Sequence, residues 1–252
     1  MSFVRSALVK AARGAARSLG ADVRRVSQYS CPMIRLGMLL RQLRTETVFD
    51  IGANEGQFAA DLRNAGYTGR IVSVEPLAAA HAALKRAAAS DPRWMVAPRC
   101  AVGASPGRAT LHIAGNSVSS SLRGMTGAHL EAAAESKYVG TEEVEVVTLD
   151  DLIARHANGP DSACFVKIDV QGHESDVLAG AGARLGMLGG VQLELSLVEL
   201  YAGQSLMPEQ VAMLASQGLS LWSIDRGFMD GGSGRLLQCD GTFVRESALS
   251  RG

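Results

Sequence analysis

The chain has 252 residues, 47% of them hydrophobic, and its 25 Lys and Arg balance 25 Asp and Glu. That length and apolar content suit one α/β domain with an extension better than two full domains. Zero formal charge argues against a nucleic-acid binder that relies on a strongly basic surface, and no uncharged apolar run is long enough to span a bilayer as a helix.

The charge is unevenly spread. Residues 1–44 hold nine Lys or Arg against one acid, Asp22, a net +8 that leaves −8 on the remainder. From Phe3 to Leu19 the apolar residues Phe3, Val4, Ala7, Leu8, Ala11, Ala12, Ala15, Ala16 and Leu19 fall at helical spacing, with Lys10, Arg13 and Arg17 between them. This predicts a basic amphipathic helix. Basic residues interrupt the run too often for a secretory signal. Such a helix packs on the domain that follows or on a second copy in a homodimer; the other reading is peripheral contact with an anionic membrane surface, worth roughly 1 kcal/mol per basic residue near the headgroups. Residues 1–44 are therefore read as a basic helical extension and 45–252 as the α/β domain.

Beyond residue 45, short apolar runs alternate with helical patterns, the mark of βαβ units and a largely parallel sheet. Strands are expected at 47–51, 71–74, 94–97, 165–168, 191–195, 219–224 and 236–244, with helices at 56–65, 78–89, 150–156, 175–182 and 208–216. The last two strands, joined through a Gly-rich turn at 230–234, predict an antiparallel hairpin at the sheet edge. Between Val102 and Val147 the alternation lapses. Residues 102–113 read as a hairpin and 115–140 as loop with some helix, a long insertion of the kind that recognises a substrate. Cys31, Cys100, Cys164 and Cys239 form no Cys-x-x-Cys pair, so neither a zinc knuckle nor a redox motif is expected. A reducing cytoplasm is the simplest compartment.

The first strand ends in Asp50-Ile51-Gly52-Ala53-Asn54-Glu55-Gly56, and Gln57-Phe58 continue into a helix. A glycine turn there lets backbone approach a ligand at the carboxyl end of the strand. The second strand ends in Glu75, 23 residues after Gly52, where an acid accepts both hydroxyls of a ribose. Together these imply an adenosine-type ligand and leave two candidates, a nicotinamide dinucleotide and S-adenosylmethionine. The turn lacks the Gly-x-Gly-x-x-Gly pattern that places backbone on a pyrophosphate, and Asp50 is expected to repel a diphosphate and to hold the cationic methionine end of S-adenosylmethionine.

With Val48-Phe49-Asp50-Ile51-Gly52-Ala53-Asn54-Glu55-Gly56, Val74-Glu75-Pro76, Ala101-Val102-Gly103, the run from Asn116 to Leu122, and the run from Val166 to Glu174, the chain resembles the FkbM-type family of S-adenosylmethionine-dependent methyltransferases over roughly residues 45–245. The resemblance implies a class I methyltransferase fold: a doubly wound, Rossmann-like, mostly parallel seven-stranded α/β sheet. It also implies O-methylation of a small-molecule or glycolipid acceptor, at a hydroxyl on a sugar, glycolipid or polyketide-like product. By resemblance, Asp50, Gly52, Asn54, Glu75 and the Cys100-Ala101 segment line the cofactor pocket. Gly56, Phe58, Pro76, Ser119, Ser120 and Asp169 complete the expected cofactor set. The family pattern often has Glu where this chain has Gln171, and an apolar or aromatic residue where it has His173.

Transfer to an alcohol needs an aligned acceptor and a base for its proton. Asp169 ends the fourth parallel strand and His173 and Glu174 begin the next helix, so Asp169, His173 and Glu174 are the expected catalytic residues, with Asp169 and His173 as a deprotonating pair. A second arrangement gathers Asp169, Glu174 and Glu194 around a divalent cation. Ser121, Glu194 and Tyr201 are expected to border the acceptor. Two further classes stay in view: a nicotinamide oxidoreductase on a similar sheet, and an inactive cofactor-binding interaction module.

Overall fold

The computed structural model describes residues 2–249 apart from 22, 24, 160 and 161, and only the backbone of 2–8 and 11. In chain order it contains α1 (Ser2–Ser18), α2 (Pro32–Gln42), β1 (Thr47–Ile51), α3 (Gln57–Asn64), β2 (Arg70–Val74), α4 (Ala78–Ala88), β3 (Trp94–Val96), β4 (Ala101–Val102), β5 (Gly107–Ala114) and α5 (Gly127–Ala132). Then follow β6 (Tyr138–Val147), α6 (Leu149–His156), β7 (Cys164–Ile168), α7 (Glu174–Ala179), β8 (Gly190–Ser196), α8 (Met207–Ser216), β9 (Ser220–Arg226) and β10 (Gln238–Val244). No described helix is long and apolar enough to cross a membrane.

Seven strands form one sheet in the order β3-β2-β1-β7-β8-β10-β9, and β10 alone runs against its neighbours. This is the mostly parallel sheet with a closing antiparallel hairpin that the alternating pattern implied. The α1 helix is present, but half of the apolar face predicted for it, Phe3 to Leu8 and Ala11, lies outside the described side chains.

Two elements depart from the expectation. The helix α2 sits inside the segment read as an extension. Pro32 starts it at a position where the missing N–H costs nothing. Leu36, Leu39, Leu40 and Leu43 then pack in one cluster with Val48, Leu62 and Phe165. The hairpin expected at 102–113 does not form. Val102 pairs parallel with Val147, and Gly107 pairs antiparallel with Val146, so β4 and β5 flank β6 on opposite sides in a separate three-stranded sheet. A strand between them holds β4 and β5 about 10 Å apart, too far to bond each other. The alternation of buried Val144 and Val146 with Glu143 and Glu145 shows β6 to be a strand packed on one face.

Each face of the main sheet has its own core. Phe49, Ile51, Val72, Val166, Ile168 and Leu193 bury against α6, α7 and α8. On the other face Val48, Ile71, Phe165 and Val244 bury against α2 and α3. This second face changes character along the strands. Two residues beyond those apolar positions, toward the carboxyl ends of the parallel strands, stand Asp50, Ser73, Lys167 and Gln192 on β1, β2, β7 and β8, and Thr242 on β10. Strand pairing sets them side by side in one row across the five strands. The helices cover the apolar half, and from the polar row Lys167 and Gln192 reach a cavity.

Candidate active site

A cavity of about 480 Å³ opens at the carboxyl ends of the parallel strands, within the range of small-ligand sites. Its walls reach from Val74, Glu75 and Cys100–Val102 on one side, past Gly52–Asn54 and Lys167, to Gln192 and Asp240 on the other. From β2 to β10 that is four strand spacings, about 19 Å.

The turn after β1 is built to be bare and rigid. Gly52 has φ 79°, and a Cβ there would lie 1.8 Å from the Asp169 carbonyl oxygen. Asn54 is also left-handed, at φ 47°. At Gly56, φ 99°, a Cβ would meet the Trp94 ring at 2.8 Å, so Gly56 serves to seat the loop on Trp94 and is not on the cavity wall. Every N–H of the turn is occupied internally. Gly52 and Ala53 donate to the Val74 carbonyl, both at 3.0 Å, and Gly56 donates to Ala53 at 2.8 Å. Asn54 donates its N–H to Glu75 Oε2 at 2.8 Å, and Glu55 donates to Asn54 Oδ1 at 2.8 Å. Only the first N–H groups of α3 remain.

Glu75 is 6% exposed. Its other oxygen accepts from the Leu77 N–H at 2.8 Å. A carboxylate offers about four lone-pair positions, so each oxygen keeps one for a ligand hydroxyl. Burial lifts its pKa to about 7 despite the two backbone donors. Ala101, Val102 and Leu111 give the same end of the cavity an apolar wall. A free pair of acceptors beside an apolar wall fits a nucleoside.

Asp50 is not where the sequence reading put it. It is fully buried and off the cavity wall. Its Oδ2 accepts from Ser73 at 3.1 Å, and Lys167 Nζ stands 3.5 Å from its Oδ1. Strand register sets Asp50 directly between Ser73 and Lys167, whose side chains stand against its two oxygens. The cation facing the cavity is Lys167, 3.3 Å from Asp169 Oδ2. Burial alone would lower its pKa, but Asp169 and Asp50 outweigh burial and hold the ammonium above its ordinary value. Burial also raises the pKa of Asp50, against the pull of Lys167.

Asn54, Phe58, Pro76, Cys100, Ala101, Ser120, Ser121 and Asp169 do border the cavity, as does His173. Ser119 does not: it is 6% exposed and held by Asn116 and Ser136. Its neighbour Ser117 takes the wall position.

The expected catalytic grouping is not assembled. The partner of Asp169 Oδ1 is Gln171 Nε2 at 2.7 Å. His173 Nδ1 instead lies 3.0 Å from Asp176 Oδ2, and its Nε2 faces Gly103, 3.5 Å from where a Cβ would be. Burial lowers the pKa of His173, Asp176 opposes this, and Arg123 adds to it. Glu174 is 3% exposed and caps its own loop, accepting from the N–H groups of Val170 at 3.3 Å and Gly172 at 3.1 Å. Burial raises its pKa to about 7.

Glu194 and Tyr201 stand behind the wall. Glu194 accepts from Gln171 at 2.9 Å and Gln238 at 2.8 Å, and the fully buried Tyr201 donates to Gln171 Oε1 at 2.7 Å. Burial first, then Asp169 and Glu174, hold Glu194 well above its ordinary pKa. With the Gln171 amide wedged between Asp169 and Glu194, and Glu174 turned to backbone, these three do not converge on a metal. Among the described residues no three His, Cys, Asp or Glu are placed to share one.

Sequence reading missed Gln57, Asp61, Gln192, Asp240 and the α2 residues Pro32 and Met33, which close the far end of the cavity. The available signal was the polar alternate positions of β7, β8 and β10.

The methyltransferase FkbM domain family matches residues 50–221. No curated protein matches the chain in sequence. Among solved structures, the O-methyltransferase from Bacillus cereus in complex with SAH is 13% identical, with 92% of this chain and 87% of that one covered and a TM-score of 0.47. The fibrillarin of Aeropyrum pernix with bound S-adenosyl-L-methionine is 11% identical over 83% and 74%, TM-score 0.44. The precorrin-6y C5,15-methyltransferase of Geobacter metallireducens is 11% identical over 82% and 85%, TM-score 0.42.

Proposed function

Because the chain belongs to the FkbM methyltransferase domain family, we propose that it moves the methyl group of S-adenosylmethionine to a hydroxyl of a sugar, glycolipid or polyketide-like acceptor. One observation carries the choice of cofactor: all five N–H groups of the Gly52–Gly56 turn are occupied within the protein. A dinucleotide needs such groups free to cradle its pyrophosphate, whereas an adenosine with an amino-acid tail does not. The expected repulsion by Asp50 plays no part, since that acid is buried beside Lys167.

In this reading Glu75 takes the ribose hydroxyls on its free lone pairs, and Ala101, Val102 and Leu111 flank the base. Ser117 and Asn54, whose side chains lie 3.5 Å apart, face the rest of the molecule. His173, beside Gly103, belongs to this cofactor wall. The bound cofactor supplies a methyl group already activated on a sulfonium. The chain's own work is to align the acceptor and shut out water, which contributes about 7–11 kcal/mol, and to receive a proton.

Calorimetric titration with S-adenosylhomocysteine and with NAD tests the cofactor. We expect S-adenosylhomocysteine to bind and Glu75→Ala to abolish it. NAD binding without S-adenosylhomocysteine binding would overturn the reading.

A further inference from the structure

The cavity is longer than the nucleoside end requires, and its far half has a chemistry of its own. Its floor lies on the sheet face under α2 and α3, where Lys167 of β7, Asp169 just past its end, Gln192 of β8 and Asp240 of β10 reach the cavity. Gln57 and Asp61 of α3 form the opposite wall. Lys167 is engaged with Asp50 and Asp169. The side chains of Gln57, Asp61, Gln192 and Asp240 have no hydrogen-bond partner among the described residues. Polar groups left unpaired around a cavity are groups a ligand can pair.

We propose that the acceptor occupies this far half, and that Asp240, which lies outside the family-matched stretch, takes up the proton of the hydroxyl that is methylated. The proposal rests on the methyl-transfer reading above. The acceptor oxygen bonds to the methyl carbon as the carbon–sulfur bond breaks to leave a neutral thioether, and the hydroxyl proton passes to the Asp240 carboxylate and then to solvent. Three carboxyl groups, Asp61, Asp169 and Asp240, face one cation, Lys167. The site therefore takes a neutral, hydroxyl-rich molecule and disfavours a phosphorylated one.

The surroundings of Asp240 suit a base. Burial raises its pKa to about 6, Asp169 and Asp225 add to this, and Lys167 opposes it. Glu194 stands opposite it on β8. Asp225 stands opposite on β9, where it is ion-paired with Arg35 of α2. A base poised near neutral pH is the efficient one.

The test uses the full chain saturated with S-adenosylhomocysteine and two probes, a neutral methyl glycoside and its phosphate ester, with binding read by saturation-transfer NMR. A labelled methyl donor then reports turnover of the glycoside. We expect the glycoside to bind and the phosphate ester not to. Asp240→Asn should keep S-adenosylhomocysteine affinity, lower turnover about 10²- to 10⁴-fold, and remove the acid limb of the pH profile near 6, with Asp240→Glu restoring part of both. Loss of S-adenosylhomocysteine binding by the parent chain would defeat the cofactor reading instead. With that binding intact, undiminished turnover by Asp240→Asn, or glycoside binding unchanged in Gln192→Ala, would overturn the site. Absent glycoside binding, or a preference for the phosphate ester, would overturn the acceptor class.

Discussion

The Gln171 carboxamide donates to Glu194 Oε2 at 2.9 Å, and the same nitrogen donates to Asp169 Oδ1 at 2.7 Å. A neutral donor thus separates two carboxylates, while Tyr201 donates to the amide oxygen and Ser121 holds the Gln171 carbonyl at 2.6 Å. The clamp also fixes Gln171 at φ 56°, a conformation that a non-glycine residue keeps only when its surroundings enforce it.

Gln171→Glu should break this clamp. It puts a third acceptor between two, at a cost of about 1–3 kcal/mol. Burial already holds Glu194 above its unfolded pKa, and a new carboxyl beside it adds to this, so the contribution of Glu194 is intact below about pH 4.3 and is lost as pH rises through its folded value. Urea unfolding should therefore show a larger deficit at pH 8 than at pH 5. A deficit that is absent at pH 8 would show that the amide is dispensable.

Cofactor binding should release protons. In the free protein Glu75 has its pKa raised to about 7, so near neutral pH it is partly protonated. Hydroxyl donors on its free lone pairs favour the ionised form. Calorimetry with S-adenosylhomocysteine at pH 6.5, in buffers of different ionisation enthalpy, should give heats that depend on the buffer, and Glu75→Gln should remove that dependence. Buffer-independent heats for the parent chain would place the ligand away from Glu75.

Gly52→Ala should be among the most damaging single changes. The positive φ costs an L-residue about 1–3 kcal/mol, and the Cβ would also overlap the Asp169 carbonyl. Gly107, where a Cβ meets nothing within 4 Å, is the control and should change stability by less than about 0.5 kcal/mol on mutation to Ala. Thermal melts of the two variants decide the matter; similar melting temperatures would mean that the Gly52 turn can open.

His173→Ala separates two roles for one ring. The geometry sets the ring against Asp176, without a hydrogen bond, and beside Gly103, so we expect KM for the methyl donor to rise with kcat retained at saturation. A drop in kcat with unchanged KM would return His173 to the reaction, as the sequence alone suggested.

The sheet was legible because its signals are local. Apolar runs such as Thr47–Ile51 and Phe165–Ile168, each followed by a turn and a helical pattern, mark strands whatever they later pack against. The Gly52–Gly56 turn and Glu75 were legible for the same reason, being strand tips at a recognisable spacing. Helix α2 escaped notice because Pro32 and the basic residues around Leu36–Leu40 read as a continuation of the charged N-terminal segment; only the facing leucines and Phe165 show that it closes the core. Strand β6 escaped because its first half, Gly140 to Glu143, is polar and its partners flank it from either side.

From the amino-acid sequence alone follow the parallel sheet, its closing hairpin and the position of the cofactor turn, since each depends on periodicity within one segment. The tertiary structure alone decides which polar residue faces the ligand. Asp50 and Asp169 look alike as acids at strand ends, yet strand register turns one beneath Lys167 and leaves the other on the wall. Asp240 comes to the same cavity only because β10 inserts antiparallel beside β8, a pairing between segments far apart in the chain that no local pattern encodes.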